Sequence, residues 1–169
     1  MQMKKIIFLL LAVTLLSCND GDIDRPSFDF TTTVNVCDEY VAYRLGNTNS
    51  NEALILTLNS SDIPEEAGTS TGLGLSSSRT ITYRLFDATV STSYFCSAIP
   101  PTEPTITKNW EATSGTITIE TTALLDIDGV ATGSLRHAIT FINLVLTSGS
   151  DTISFDTFTF GSFDTTPDI

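Results

Sequence analysis

Apolar and polar residues change places at every second position along most of this chain, which is the period of a strand with one buried face. Phe28, Phe30, Thr32, Val34 and Val36 alternate with Asp29, Thr31, Thr33 and Asn35, and predict a first strand that ends at Cys37. Val41, Tyr43 and Leu45 keep that period up to a turn over residues 46–51, where Asn and Gly relax the backbone. Leu54 to Leu58 is a continuous apolar run, the pattern of a strand buried on both faces. From Arg79 to Phe86, Ile81, Tyr83 and Leu85 alternate with Thr80, Thr82 and Arg84, which predicts a half-exposed strand with a basic outer face.

Residues 59–78 break the pattern with Pro64, Gly68, Gly72 and Gly74, and read as a long covering loop whose Leu73 and Leu75 reach the core. A strand carrying Tyr94, Phe95 and Cys96 is expected before Pro100-Pro101, which cannot join a central ladder and mark a crossover. Ile106, Lys108 and Trp110 predict a short strand, and Gly115 opens another through Ile117, Ile119 and Thr121. Asp126-Ile127-Asp128-Gly129 and Gly133 mark a turn. Leu135 to Leu146 is apolar on both faces and predicts a central strand, with Thr152 to Phe160 as its hairpin partner across Ser148-Gly149-Ser150-Asp151. In that partner the apolar set moves from Ile153 and Phe155 to Phe158 and Phe160, which predicts a β-bulge near Asp156 and Thr157. The expected fold is all-β: an antiparallel two-sheet β-sandwich of about eight strands over residues 28–169.

The start of the chain has a different character. Lys4 and Lys5 precede an apolar run from Ile6 to Leu16 that is shorter than the roughly 20 residues a membrane span requires. Leu15-Leu16-Ser17-Cys18 closes it. This resembles a bacterial lipoprotein signal with its lipobox, which implies cleavage after residue 17 and acylation of Cys18. Residues 18–27 then form an acidic tether. Asn19 to Asp24 carries three aspartates and resembles the export tag of surface lipoproteins in Bacteroidota. The resemblance implies a protein anchored by its lipid to the outer membrane, at the cell surface, with the membrane itself as one partner. Two or more acyl chains hold a protein stably, where one holds it reversibly. The rest of the chain is similar in style to small Thr- and Ser-rich flavobacterial lipoproteins, in stretches such as Tyr83-Arg84-Leu85-Phe86 and Tyr94-Phe95-Cys96, a likeness that implies no activity.

Loss of the signal removes two of eight basic residues and none of 20 acidic ones, so the mature chain is more negative than the −12 of the whole. Such a charge excludes nucleic acid and anionic headgroups as partners. In the compartment that the signal implies, the remaining pair Cys37 and Cys96 is expected to form a disulfide. Two free thiols, or a Cys/His site with His137, are the alternatives; zinc spacing is absent and no metal or cofactor is expected. The pair together with Trp110 suggests an immunoglobulin-like sandwich, but in that pattern the tryptophan lies between the cysteines, and here it follows both.

Candidate chemistry is thin. The one histidine, His137, sits mid-strand without a Gly-x-Ser-x-Gly elbow and reads as structural. Glu111, Glu120, Asp126 and Asp128 could supply a glycosidase pair, but no motif selects two of them. Asp126-x-Asp128-Gly129 begins like a calcium loop and lacks the ligands that would complete one. Trp110, Tyr94 and Tyr40 are candidates for a ligand-binding surface, on which sugar rings could stack. The expected function is therefore a non-enzymatic surface binding or structural accessory module, with a glycan or an envelope protein as partner; a glycan-binding lipoprotein is the alternative and a hydrolase a distant third.

Overall fold

The computed structural model describes residues 28–37, 40–48, 50–68 and 70–166. The signal peptide, Cys18 and the acidic tether through residue 27 lie outside the described residues. The fold is all-β and antiparallel. Its strands are β1 (Asn35–Cys37), β2 (Val41–Leu45), β3 (Glu52–Thr57), β4 (Ser70–Gly74), β5 (Thr80–Phe86), β6 (Ile106–Leu125), β7 (Ala131–Ser148) and β8 (Asp151–Thr165). One short helix, α1 (Thr92–Cys96), lies between β5 and β6.

The eight strands belong to one hydrogen-bonded sheet in the order β1-β2-β3-β5-β6-β7-β8, with β4 also paired to β6. The described strands thus make one curled sheet, where two packed sheets were expected. A single sheet supplies both sides of the core because it curls: Ala42 on β2, Leu56 on β3, Tyr83 on β5, Ile119 on β6, Phe141 on β7 and Phe160 on β8 all join one buried cluster. The curl needs bends in the long strands. Gly115 in β6, Asn143 in β7 and Gly161 in β8 each have positive φ, and register shifts fall beside Gly115 and Gly161. Bulges of this kind raise local twist and turn a strand toward itself.

Several elements differ from the alternation-based reading. Residues 28–34 do not form a ladder: Phe30 makes one isolated bridge to Gly46, and only Asn35–Cys37 pairs as a strand. Side-chain alternation survives there, with Phe28, Phe30 and Val34 packed on the core, because the segment is extended across the curl and not zipped to a neighbour. The irregular stretch 59–78 contains β4, which pairs with Thr116–Glu120 of β6; Gly72 and Gly74 concealed it by removing the period-2 signal. Leu73 and Leu75 do pack on the core. The two strands expected around Ile106 and Ile117 are one continuous β6 with bulges.

The segment expected as a strand before the prolines is α1. In a strand the adjacent Tyr94 and Phe95 would point to opposite faces. In the helix both rings reach the same surface: Phe95 stacks on Tyr43 at 4.3 Å and Tyr94 meets Phe86 edge-on at 5.1 Å. They cover a second apolar cluster of Tyr43, Ala53, Ile55, Phe86 and Val90 on the outer side of β2-β3-β5. The apolar run in β3 is thus buried on both faces, as its composition predicts.

The bulge in β8 lies further along than expected. Ile139 pairs with Gly161 and Thr140 with Thr159, so Phe160 is the extra residue. The bulge brings Phe163 to the core together with Phe160. The β7–β8 hairpin turns between Ser148 and Asp151, and β7 lies between two neighbours, both as the pattern indicates.

Candidate functional site

The β6–β7 hairpin extends beyond the rest of the sheet. Among the described residues β4 pairs with β6 as far as Glu120, with the Gly68 N–H donating to the Thr121 carbonyl just beyond; on the other side β8 pairs with β7 as far as Leu135. From there to the turn the two strands form a two-stranded arm closed by the Leu125–Ala131 pair. Its apex is ordered by Asp126. The Oδ1 of that residue accepts the backbone N–H of Asp128 at 2.9 Å and of Val130 at 2.8 Å, while its own N–H donates to the Val130 carbonyl. The Asp126 carboxylate therefore serves the turn, as a side chain of this kind does in an Asx-turn.

The consequence is an outward display of apolar residues. Ile127 is 100% exposed, Val130 61% and Leu125 60%. Scattered exposed aliphatics are ordinary, whereas three on one ordered tip form a patch. The turn was legible in the sequence; the arm was not, although three large aliphatics around a turn where polar residues are the norm were the available signal.

The other candidates serve the fold. His137 is fully buried, with Nδ1 3.0 Å from Thr121 Oγ1 and Nε2 2.9 Å from Thr165 Oγ1. Burial pushes its imidazole below the ordinary histidine value, and the nearby Asp164 carboxylate offsets part of that shift. Asp164 forms a two-pronged pair with Arg136, at 2.8 and 2.9 Å, which holds its own carboxyl below the usual range. Glu111 and Glu120 are exposed on β6. Among the described residues no group of three His, Cys, Asp or Glu side chains is placed to hold a metal ion, and no helix is long and apolar enough to cross a membrane.

Cys37 and Cys96 are disulfide-bonded with their Cα atoms 5.1 Å apart, which ties β1 to the end of α1. Trp110 was a candidate for ligand stacking and is enclosed, only 1% exposed, with its ring 5.1 Å from Tyr83. Tyr94 is half-buried against Phe86 and Phe95, and Tyr40 is half-buried just before β2. A flat exposed platform does not include Trp110.

Arg44 has a role that alternation could not reveal. From β2 its guanidinium donates to four carbonyls: Phe30 and Thr31 in the extended N-terminal segment, Thr159 and Phe160 in β8. It fastens the seam where the two ends of the curl meet. No protein-family model, curated protein or solved structure matches this chain.

Proposed function

We propose that this chain is a non-enzymatic binding module of the bacterial envelope, anchored through acylated Cys18 and displayed outward by its acidic tether, which engages an envelope protein through the β6–β7 arm. In this reading the opposed faces of the curled sheet act as the layers of a sandwich whose task is to hold the arm rigid. The observation that carries it is the fully exposed Ile127, on a turn ordered by Asp126, with Leu125 and Val130 beside it. Burying an aliphatic side chain of this size contributes roughly 1.5–3 kcal/mol, so an apolar socket for Ile127 would provide an anchor of the kind that dominates interfaces. Asp128 at the apex and the net charge of −12 favour a socket with a cationic rim.

The non-enzymatic part rests on how the reactive side chains are employed: His137 is bound between two threonines, and Arg44 is spent on backbone carbonyls. The glycan alternative depended on exposed rings, and Trp110 is enclosed. The test is a photo-reactive phenylalanine placed at position 127 in living cells, with the same residue at the exposed Thr157 of β8 as control. One discrete adduct from position 127, lost when Val130→Asp is added, supports the reading. Indistinguishable adducts from the two positions would refute it.

A further inference from the structure

Residues 88–104 form a flap on the outer side of β2, β3 and β5, fixed at its base and again at Cys96. At the base the Asp87 carboxylate accepts the Thr105 N–H at 2.9 Å and the Thr105 hydroxyl at 2.6 Å, while the Asp87 N–H donates to the Thr105 carbonyl at 3.1 Å. The Val90 N–H then donates to the Ser50 carbonyl at 2.6 Å, and the Val90 side chain is buried. From there to the disulfide the flap is held by rings, Phe95 on Tyr43 and Tyr94 on Phe86. Its helix α1 has five residues, too few to persist without outside contacts. Cys96 at the end of α1 is exposed, as are residues 97–103 after it, whereas Cys37 in β1 is buried.

The two bridged residues thus differ in access, and exposed bridges are the exchangeable ones, whereas enclosed bridges are inert links. We propose that the Cys37–Cys96 bond is a site of thiol–disulfide exchange with a dithiol reductant, attacked at Cys96, and that its reduction lifts residues 91–104 from the apolar strip of Tyr43, Ala53, Ile55 and Phe86. One thiolate of the reductant bonds to Cys96 Sγ and breaks the S–S bond, and Cys37 leaves as a thiolate. The reductant's second thiolate then closes its own disulfide and releases the Cys96 thiolate. Two electrons pass from the dithiol to the protein, and both cysteines take protons from water. Tyr43 Oη, 3.9 Å from Cys96 Sγ, is placed to donate to the sulfur as it is released. Val90 and Thr105 stay bonded to Ser50 and Asp87 and act as the two hinges, so the β5–β6 ladder is untouched. This site is separate from the arm and stands whether or not the arm has a partner.

The probes are 2-mercaptoethanol, whose mixed disulfide is trapped by acid, and dithiothreitol, which completes the exchange. Each is applied without denaturant to the oxidised full chain, with Cys18 alkylated beforehand. Mass spectrometry should place the 2-mercaptoethanol adduct on Cys96 and the free thiol on Cys37. Dithiothreitol should reduce the bond at a rate within about tenfold of that in urea, since access governs exchange. In the reduced chain the Tyr94 and Ser97 amides, which donate to the Ser91 and Ser93 carbonyls, should lose protection from hydrogen exchange, while the emission of Trp110, the one tryptophan, stays as in the oxidised chain. The neutral dye Nile red should bind the reduced chain about tenfold tighter than the oxidised one. Cys37→Ser with Cys96→Ser should match the reduced chain without any reductant. An adduct on Cys37, reduction only once the sheet unfolds, equal protection of Tyr94 and Ser97 in both states, equal dye affinity, or a Trp110 change in step with loss of the bond would each overturn the proposal.

Discussion

Arg44 Nη1 on β2 donates to the Phe160 carbonyl on β8 at 2.9 Å, across 116 residues of sequence. That bond, with the three others from the same guanidinium, joins an early strand of the sheet to the last. Hydrogen bonds from a charged donor are worth about 1.5–3 kcal/mol each but do not add, and orphaned carbonyls near the surface recover water. Arg44→Met is expected to destabilise the fold by about 3 kcal/mol, read by urea melts. Arg44→Lys should restore little of this, because one ammonium cannot reproduce a planar fork aimed at four carbonyls. A loss below about 0.5 kcal/mol would mean that the seam holds by apolar contact alone.

Gly161 is a second test of the seam. Its φ of +119° is open to glycine and strained for other residues, and an added Cβ would lie 2.7 Å from Val34 Cγ2. Gly161→Ala should cost about 2–3 kcal/mol, from backbone strain and overpacking together. Adding Val34→Ala should recover the steric share and leave the backbone share, so the double variant melts between Gly161→Ala and Val34→Ala corrected for its own cavity. Simple additivity of the two losses would show that the contact is relaxed in solution.

The buried histidine gives stability a pH dependence of definite sign. His137 is held below its unfolded value by burial, so the unfolded chain binds a proton before the folded one does. Stability is then full above the unfolded value of about 6.5 and declines as pH falls through the window beneath it. Arg136 and Asp164 are the charged groups alongside, and the lowered Asp164 carboxyl adds its own loss only at still lower pH, below the ordinary aspartate value. His137→Gln cannot take up the proton and should flatten the decline between pH 7 and 5 in urea titrations. An identical slope in wild type and variant would assign the decline to other groups.

Removing the Cys37–Cys96 bridge should do two separable things. Stability falls by about 2–5 kcal/mol, with Cys37→Ala, Cys96→Ala and the double variant melting together. The near-UV circular dichroism of Tyr94 and Phe95 should weaken, because α1 is tied down by the bridge and by its rings on Tyr43 and Phe86. A double variant clearly worse than either single one would count against the bridge.

Asp62 and Arg79 anchor the covering segment, the carboxylate buried and the guanidinium Nε 2.9 Å away, while Arg79 Nη1 reaches the Gly74 carbonyl at 2.8 Å. Arg79→Ala leaves a buried charge unpaired and should cost about 2–3 kcal/mol, reduced from the range for fully enclosed pairs because Arg79 is partly exposed. Arg79→Ala with Asp62→Asn should be more stable than Arg79→Ala alone, measured by thermal melts.

Much of the sheet was legible because burial on one face writes a period of two: β2, β5 and the first part of β8 carry it openly, while β3 and β7 were read from apolar runs that fill both faces. What alternation cannot state is which partner a strand finds. Phe28 to Val34 has the pattern of a ladder and spends it on side-chain burial, while β4 forms a ladder with glycines that erase the pattern. The helix at Thr92–Cys96 escaped notice because five residues are too few to display a helical period. Trp110 illustrates the limit for sites: sequence supplies a large ring beside charges, and only the curl decides that the ring is inside.

The seam at Arg44 also sets how the molecule would bear a load. Were the chain anchored as proposed, a tug on its tether would enter ahead of residue 28, while resistance from a partner on the arm would enter near Ile127, at the far end of β6 and β7. Phe28 would yield first, since its ring contacts can slide apart one at a time. The pull then reaches Phe30 and Thr31, where a single side chain grips both the strap and β8, and further unravelling must break several bonds at once. The domain is thereby wired with a fuse ahead of a brake.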